Sequence, residues 1–159
     1  FVIGKTYGHL DLSMYKKIVF NEELGQPPNL DLIQEKKNGN FIRNYIDKFN
    51  HELIGVHDIS EGGIIVSLAE MVIKCNLGVK IKIPQKKNKK NWLFGEDQSR
   101  YIVVVREKNS IENEALHADV FIENIGVVKG NGLKIEKLFE ISNKELININ
   151  SKFFMDCFN

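Results

Sequence analysis

Two short segments concentrate the residues whose chemistry could matter. The first runs Val56-His57-Asp58-Ile59-Ser60-Glu61-Gly62-Gly63 and sets two glycines where a strand would turn into a helix. Glycine tolerates positive φ, so the N–H groups of such a turn can converge on an anion at the positive end of the helix. Ser60, Gly62 and Gly63 are therefore candidates for a phosphate- or ligand-holding loop. Asp58 and Glu61 oppose that reading, because their carboxylates repel a bare phosphate unless a metal or a basic group intervenes. A tight turn plus a helix cap, with no ligand, is the competing reading.

The second segment is Phe94-Gly95-Glu96-Asp97-Gln98-Ser99-Arg100. Glu96, Asp97, Gln98 and Arg100 place two carboxylates, an amide and a guanidinium just ahead of an apolar strand, a density that suits contact with a polar ligand or a neighbouring domain. The alternative is a solvated loop in which Arg100 pairs with Glu96, which is worth little when exposed.

Other reactive arrangements do not form. His9, His51, His57 and His117 lack the H-E-x-x-H spacing of a metal helix, and no cysteine sits at a zinc-finger interval from any of them. No serine occupies a G-x-S-x-G elbow, and no Walker phosphate loop is present. The sequence thus assigns neither a catalytic residue nor a metal site.

The elements that must position these segments can be read from periodicity. Phe1-Val2-Ile3-Gly4 reads as the middle or end of a strand, so residues are expected upstream of it. Ser13 could cap a short helix carrying Met14, Ile18 and Val19 and ending at Gly25. After the stiff Pro27-Pro28 connector, Asp31 with Gln34 resembles a capping box for a helix reaching Phe49, whose continuity Gly39 weakens. Leu53-Ile54-Gly55-Val56 suits a buried strand, and Ile64, Ile65, Leu68, Ala69, Val72 and Ile73 repeat on one helical face.

Val79, Ile81 and Ile83 alternate with lysines as in a half-buried strand closed by Pro84. Lys86, Lys87, Lys89 and Lys90 then read as a solvated basic connection without the interleaved aromatics of a nucleic-acid surface. Tyr101–Val105 is an unbroken β-branched run expected at the centre of a sheet. Ile125–Val128 and Leu133–Ile135 flank Gly130-Asn131-Gly132 and predict a hairpin. Ser142 with Glu145 opens a last helix, at about 142–155, that carries Phe153 and Phe154. The expected fold is α+β, a mostly antiparallel sheet packed with helices, in one domain over residues 1–159.

The chain has 159 residues, 43% of them apolar and 27% charged, the mixture of a chain able to bury a core. A net charge of +1 provides no field for nucleic acid or a membrane surface. The two cysteines, Cys75 and Cys157, do not suggest a disulfide framework, and a reducing cytosol is the natural setting. No apolar run approaches a membrane span.

Taken in order, several segments form a set: Gly4-Lys5-Thr6-Tyr7-Gly8-His9-Leu10, Gly25-Gln26-Pro27-Pro28, Glu35-Lys36-Lys37-Asn38-Gly39, His57 to Gly63 with Leu68-Ala69-Glu70-Met71, and Leu93 to Tyr101. With the tail from Ile141 to Met155, this set resembles the C-terminal end of the large subunit of phosphoribosylformylglycinamidine synthases of the synthase II type. These belong to the aminoimidazole ribonucleotide synthetase-like superfamily. The family usually has Gly where Asp11 stands and often Asp where Glu61 stands.

The resemblance implies the C-terminal domain of a longer enzyme, an ATP-dependent ligase of purine biosynthesis. That enzyme turns formylglycinamide ribonucleotide into the amidine with ammonia taken from glutamine. ATP phosphate activates the formamide oxygen, and ammonia displaces it. ATP and Mg2+ would serve the intact enzyme, with neither bound mainly by this part, and the catalytic histidine would lie upstream. Glu96, Asp97 and Gln98 stand where an earlier copy of the domain has an acid-x-amide motif touching substrate, and Ser60, Gly62 and Gly63 stand near bound phosphate in related domains.

Implied partners are upstream domains of the same polypeptide, a glutamine amidotransferase subunit and a small accessory subunit, in the cytoplasm. The isolated part is expected to be inactive and able to pair with a second copy. Two other readings are a non-catalytic docking or ligand-binding module, and the same domain of another superfamily member such as aminoimidazole ribonucleotide synthetase.

Overall fold

A computed structural model describes residues 1–157, and the side chains from position 153 onward, those of Phe153, Phe154 and Cys157 included, lie outside the described residues. In chain order the elements are β1 (Val2–Ile3), α1 (Met14–Phe20), α2 (Leu32–Phe49), β2 (Leu53–Asp58), α3 (Gly63–Cys75), β3 (Val79–Ile81) and α4 (Lys89–Phe94). They continue with β4 (Tyr101–Val105), α5 (Lys108–His117), β5 (Ile122–Glu123), β6 (Gly126–Val128), β7 (Gly132–Ile135), β8 (Phe139–Ser142) and α6 (Asn143–Cys157).

Side-chain caps set several boundaries. Ser13 Oγ accepts from the Lys16 N–H at 3.3 Å, and Asp31 Oδ1 accepts from Ile33 and Gln34 at 3.0 and 2.9 Å. The reciprocal arm expected from Gln34 does not form, because its side-chain amide donates to Asn38 Oδ1 at 2.7 Å. At Ser142 the box is complete: the Glu145 N–H reaches Ser142 Oγ at 3.2 Å, and the Ser142 N–H reaches Glu145 Oε2 at 2.9 Å. Helix α1 stops at Asn21, in the left-handed region at φ 53°, before the expected stop at Gly25. Helix α2 runs unbroken through Gly39.

The chain forms two compact units, Phe1–Ser67 with Lys86–Asn124 and Leu68–Gln85 with Ile125–Asn159. The first unit holds an antiparallel sheet in the order β2-β4-β1-β5. Strand β4 is paired on both edges, as its β-branched run predicts, and Ile102 and Val103 are buried in it. Against the expectation of a buried strand, β2 is an edge strand: only β4 lies beside it, and Ile54 is 52% exposed. Ile3 and Val103 pack with Phe41, Ile42 and Tyr45 of α2, Ile111 and Ala115 of α5, and Val120 to form the core. Helix α5 and strand β5 carry no expectation from the sequence. Lys89 and Lys90, expected in a loop, open α4, because Asn88 caps it and Trp92 and Leu93 are buried by it.

The second unit holds a sheet in the order β6-β3-β7-β8. The predicted hairpin across Gly130-Asn131-Gly132 does not form, since β3 lies between its two arms, antiparallel to β6 and parallel to β7. The glycine turn spans the width of β3: Gly78 N–H donates to Gly130 O at 3.1 Å, and Lys129 N–H donates to Gly78 O at 2.8 Å. Val79 and Ile81 are both buried, so seating β3 centrally removes more apolar surface from water than an edge position would. The hairpin is β7–β8, turning through Lys137 at φ 57°. The molecule is thus α+β with mostly antiparallel pairing, in two sheets.

Candidate functional site

All the candidate residues lie in the first unit, and there the two segments meet. Gly62 and Gly63 turn the chain from β2 into α3 with φ of 78° and 70°. A Cβ on Gly63 would stand 2.7 Å from both Leu93 O and Gly95 O, so the second glycine is required by the end of α4 pressing on the turn. From that same end, Glu96 reaches across: its Oε1 accepts from Gly62 N–H at 2.8 Å and from Met14 N–H, the first residue of α1, also at 2.8 Å. Negative charge at helix starts is favourable, and here the protein supplies it.

Both amides proposed for a phosphate are therefore engaged, Gly62 by Glu96 and Gly63 by Ser60 O at 3.1 Å. Ser60 itself is exposed. An incoming anion at this turn would have to displace a carboxylate.

Asp97 turns inward and is 6% exposed. Its Oδ2 accepts from Tyr7 N–H at 3.1 Å and Gly8 N–H at 2.8 Å, and its Oδ1 accepts from His9 N–H at 3.1 Å. Successive N–H groups converging on one acid form a backbone nest, and Gly8 at φ 85° makes the bend possible. A Cβ on Gly8 would fall 2.7 Å from that of Asn91, whose amide donates to Gly8 O at 3.0 Å.

Arg100, 2% exposed, completes the cluster. Its Nε donates to Asp97 O at 3.0 Å and its terminal nitrogens to Gly95 O at 2.7 Å and Thr6 Oγ1 at 3.2 Å, while Asp97 Oδ2 lies 3.7 Å away. Burial lowers the guanidinium pKa to about 10, and the charge of Asp97, with a smaller one from Glu96, works against that fall. Arg100 stays charged at neutral pH. The expected Arg100–Glu96 pairing on a solvated loop is replaced by a buried pair with Asp97, because the guanidinium must also satisfy two carbonyls and a threonine.

Gln98 alone of the four is exposed. It borders a cleft of about 920 Å³ whose walls include Lys5, Tyr7, Asp31, Lys37 and Phe121. Lys37 pairs with Asp119 at 2.7 Å and holds that carboxyl below its ordinary range. Tyr7, Gly8 and His9, the backbone partners of Asp97, carry no side-chain signal of that role, since backbone N–H groups leave no mark on side-chain type. The spacing of Gly4 and Gly8, both at positive φ, was the available signal. Among the described residues no group of three His, Cys, Asp or Glu side chains is placed to hold a metal ion.

Comparison with known proteins agrees with this architecture. Residues 8–137 match the family described as AIR synthase related protein, C-terminal domain. The phosphoribosylformylglycinamidine synthase subunit PurL of Bartonella quintana is 39% identical over 143 residues, which are 89% of this chain and 19% of that protein. Among solved structures, Thermotoga maritima PurL complexed with ATP superposes with a TM-score of 0.67 over 91% of this chain and 24% of that one, at 16% identity. The structure of PurLQS from the same organism gives a TM-score of 0.66 over 91% of this chain and 25% of its own, at 18% identity. At such identities the two structures speak for the fold alone, and the chain spans about a fifth of the length of the curated relatives it matches. With the glycine turns, the α+β architecture and the matched region in agreement, the chain belongs to the AIR synthase related protein, C-terminal domain, family.

Proposed function

We propose that this chain, both units together, is the C-terminal domain of a phosphoribosylformylglycinamidine synthase, and that it serves that enzyme as architecture rather than as the seat of its chemistry. The intact enzyme on this reading is a cytoplasmic ATP-dependent carbon–nitrogen ligase of purine biosynthesis. It takes formylglycinamide ribonucleotide and ammonia derived from glutamine to the amidine. The observation that carries the reading is 39% identity to a named synthase subunit across 89% of the chain.

ATP and Mg2+ belong to the intact enzyme, and the candidate loop and acids among the described residues do not fit them. A carboxylate already stands at the Gly62 amide, the Gly63 amide is bonded to Ser60, and no acidic or histidine cluster is placed for a cation among the described residues. Ser60 and Gln98, the exposed candidates, are left for contact with a ligand or a neighbouring domain. The partners are upstream domains of the same polypeptide, a glutamine amidotransferase subunit and a small accessory subunit. Ile18, Val19, Phe20, Leu24, Leu30 and Ile33 are exposed apolar groups that such partners would cover, and in isolation they favour pairing of two copies.

Supplied with formylglycinamide ribonucleotide, ATP, magnesium and ammonia, the chain alone is expected to make no amidine. Combined with a synthase subunit lacking the matching region, it is expected to restore turnover. Amidine formed by the chain alone would overturn the architectural role; a folded, bound chain that restores nothing would overturn the assignment of activity.

A further inference from the structure

The acid at position 97 sits in surroundings usually offered to a bound oxyanion: three consecutive backbone N–H groups, a buried guanidinium at 3.7 Å, and a glycine at positive φ that lets the amides converge. We propose that Asp97 is the resident anion of this nest, a positioning residue that fixes the Tyr7-Gly8-His9 wall of the 920 Å³ cleft, and so the placement of Lys5 and Tyr7 along it. The inference does not depend on the activity proposed above.

Three observations support it. The carboxylate is buried, so its hydrogen-bond capacity is spent inside the protein rather than on solvent. Both of its oxygens are used, which holds the loop against rotation as a single bond would not. Arg100 binds Thr6 Oγ1 and Gly95 O as well, so the charge that balances Asp97 is fixed by the segments on either side of the nest. A carboxylate placed only for packing would need none of these donors.

The experiment reads amide hydrogen exchange residue by residue in the chain and in Asp97→Ala, with and without sodium formate, and with sodium chloride as the control. Removing a charge-accepting partner is expected to speed exchange at Tyr7, Gly8 and His9 by about 10- to 100-fold. The acceleration there should exceed that at Met14 and Gly62, which Glu96 holds and which report any global loss of stability. Formate, which matches the deleted carboxylate, is expected to restore protection at 7–9, and chloride at equal ionic strength is not. Unchanged exchange at 7–9 in a folded Asp97→Ala, or no recovery specific to formate, would overturn the proposal. Should Asp97→Ala fail to fold, Asp97→Asn is read by NMR, where loss of the charge is expected to move the Gly8 amide proton upfield; an unmoved resonance would overturn the proposal equally.

Discussion

Residues 95–100 and residues 18–33 invert the usual partition of a soluble protein in opposite ways. In the first segment an aspartate and an arginine are buried; in the second, Ile18 and Ile33 are 73% and 83% exposed. Burying ions costs several kcal/mol each, so the first arrangement persists because the Asp97 carboxylate and the Arg100 guanidinium find their partners within the chain. Exposing isoleucines forgoes about 1.5–3 kcal/mol apiece, and none of the described residues covers these two. The charged pair is held by its own chain, whereas the apolar segment leaves large side chains in solvent.

The contrast can be broken most forcefully at the buried pair. Asp97→Ala strands the Arg100 charge and is expected to cost about 3–5 kcal/mol in urea denaturation, whereas Ile33→Lys should stay within about 0.5 kcal/mol of the parent. Equal costs at the two positions would dissolve the distinction.

Next in size is the turn that joins the two clusters. Gly63→Ala forces a side chain into φ 70° and against two carbonyls, and about 2–3 kcal/mol should be lost by the same measurement. Gly39→Ala is the matched control. That glycine is helical, with Tyr101 Oη 3.8 Å from the added Cβ, so up to about 1 kcal/mol should be gained.

Self-association sharpens the other side of the comparison. Light scattering on the isolated chain should detect a concentration-dependent dimer, and Ile18→Lys together with Ile33→Lys should shift it toward monomer without loss of helicity by circular dichroism. A parent that remains monomeric at high concentration removes the apolar segment as a pairing surface.

The smallest effect is a titration. Burial, together with the hydrogen bond to Glu35 and its charge, pushes the Tyr101 phenol up to about 12, against an ordinary value near 10. Between those values the unfolded chain releases a proton that the folded chain retains, so this contribution to stability is complete below about pH 10 and is lost as pH rises toward 12. Absorbance at alkaline pH should show the Tyr101 phenol titrating late, beside a Tyr45 phenol that burial also raises, and Glu35→Gln should bring Tyr101 down.

Much of this was legible in the sequence, for identifiable reasons. Ser13, Asp31 and Ser142 announce helix starts because a cap is a local bond between neighbours, and Tyr101–Val105 announces a central strand because both of its faces must be apolar. Strand β2 cannot be placed from its own residues, because four apolar residues look alike in the middle or at the edge of a sheet; only pairing decides. The Gly-Asn-Gly turn misled for a related reason, since its local chemistry fits a hairpin while β3 intrudes between the arms. Helix α5 gave little warning, with only Ile111 and Ala115 buried along its length. At the site, residue types located Glu96, Asp97 and Arg100 but could not tell whether they face a ligand or their own backbone.

The seating of β3 bears on how the chain is made. Its partners on both sides, β6 and β7, are encoded after Asn124, so during synthesis Val79 and Ile81 emerge long before anything can pair with them. Sheets closed by such distant segments assemble slowly. A strand bare on both edges also invites pairing with another nascent chain. Ribosome-bound intermediates whose emerged part stops before residue 126 should accordingly depend on chaperones far more than those whose emerged part extends past residue 142.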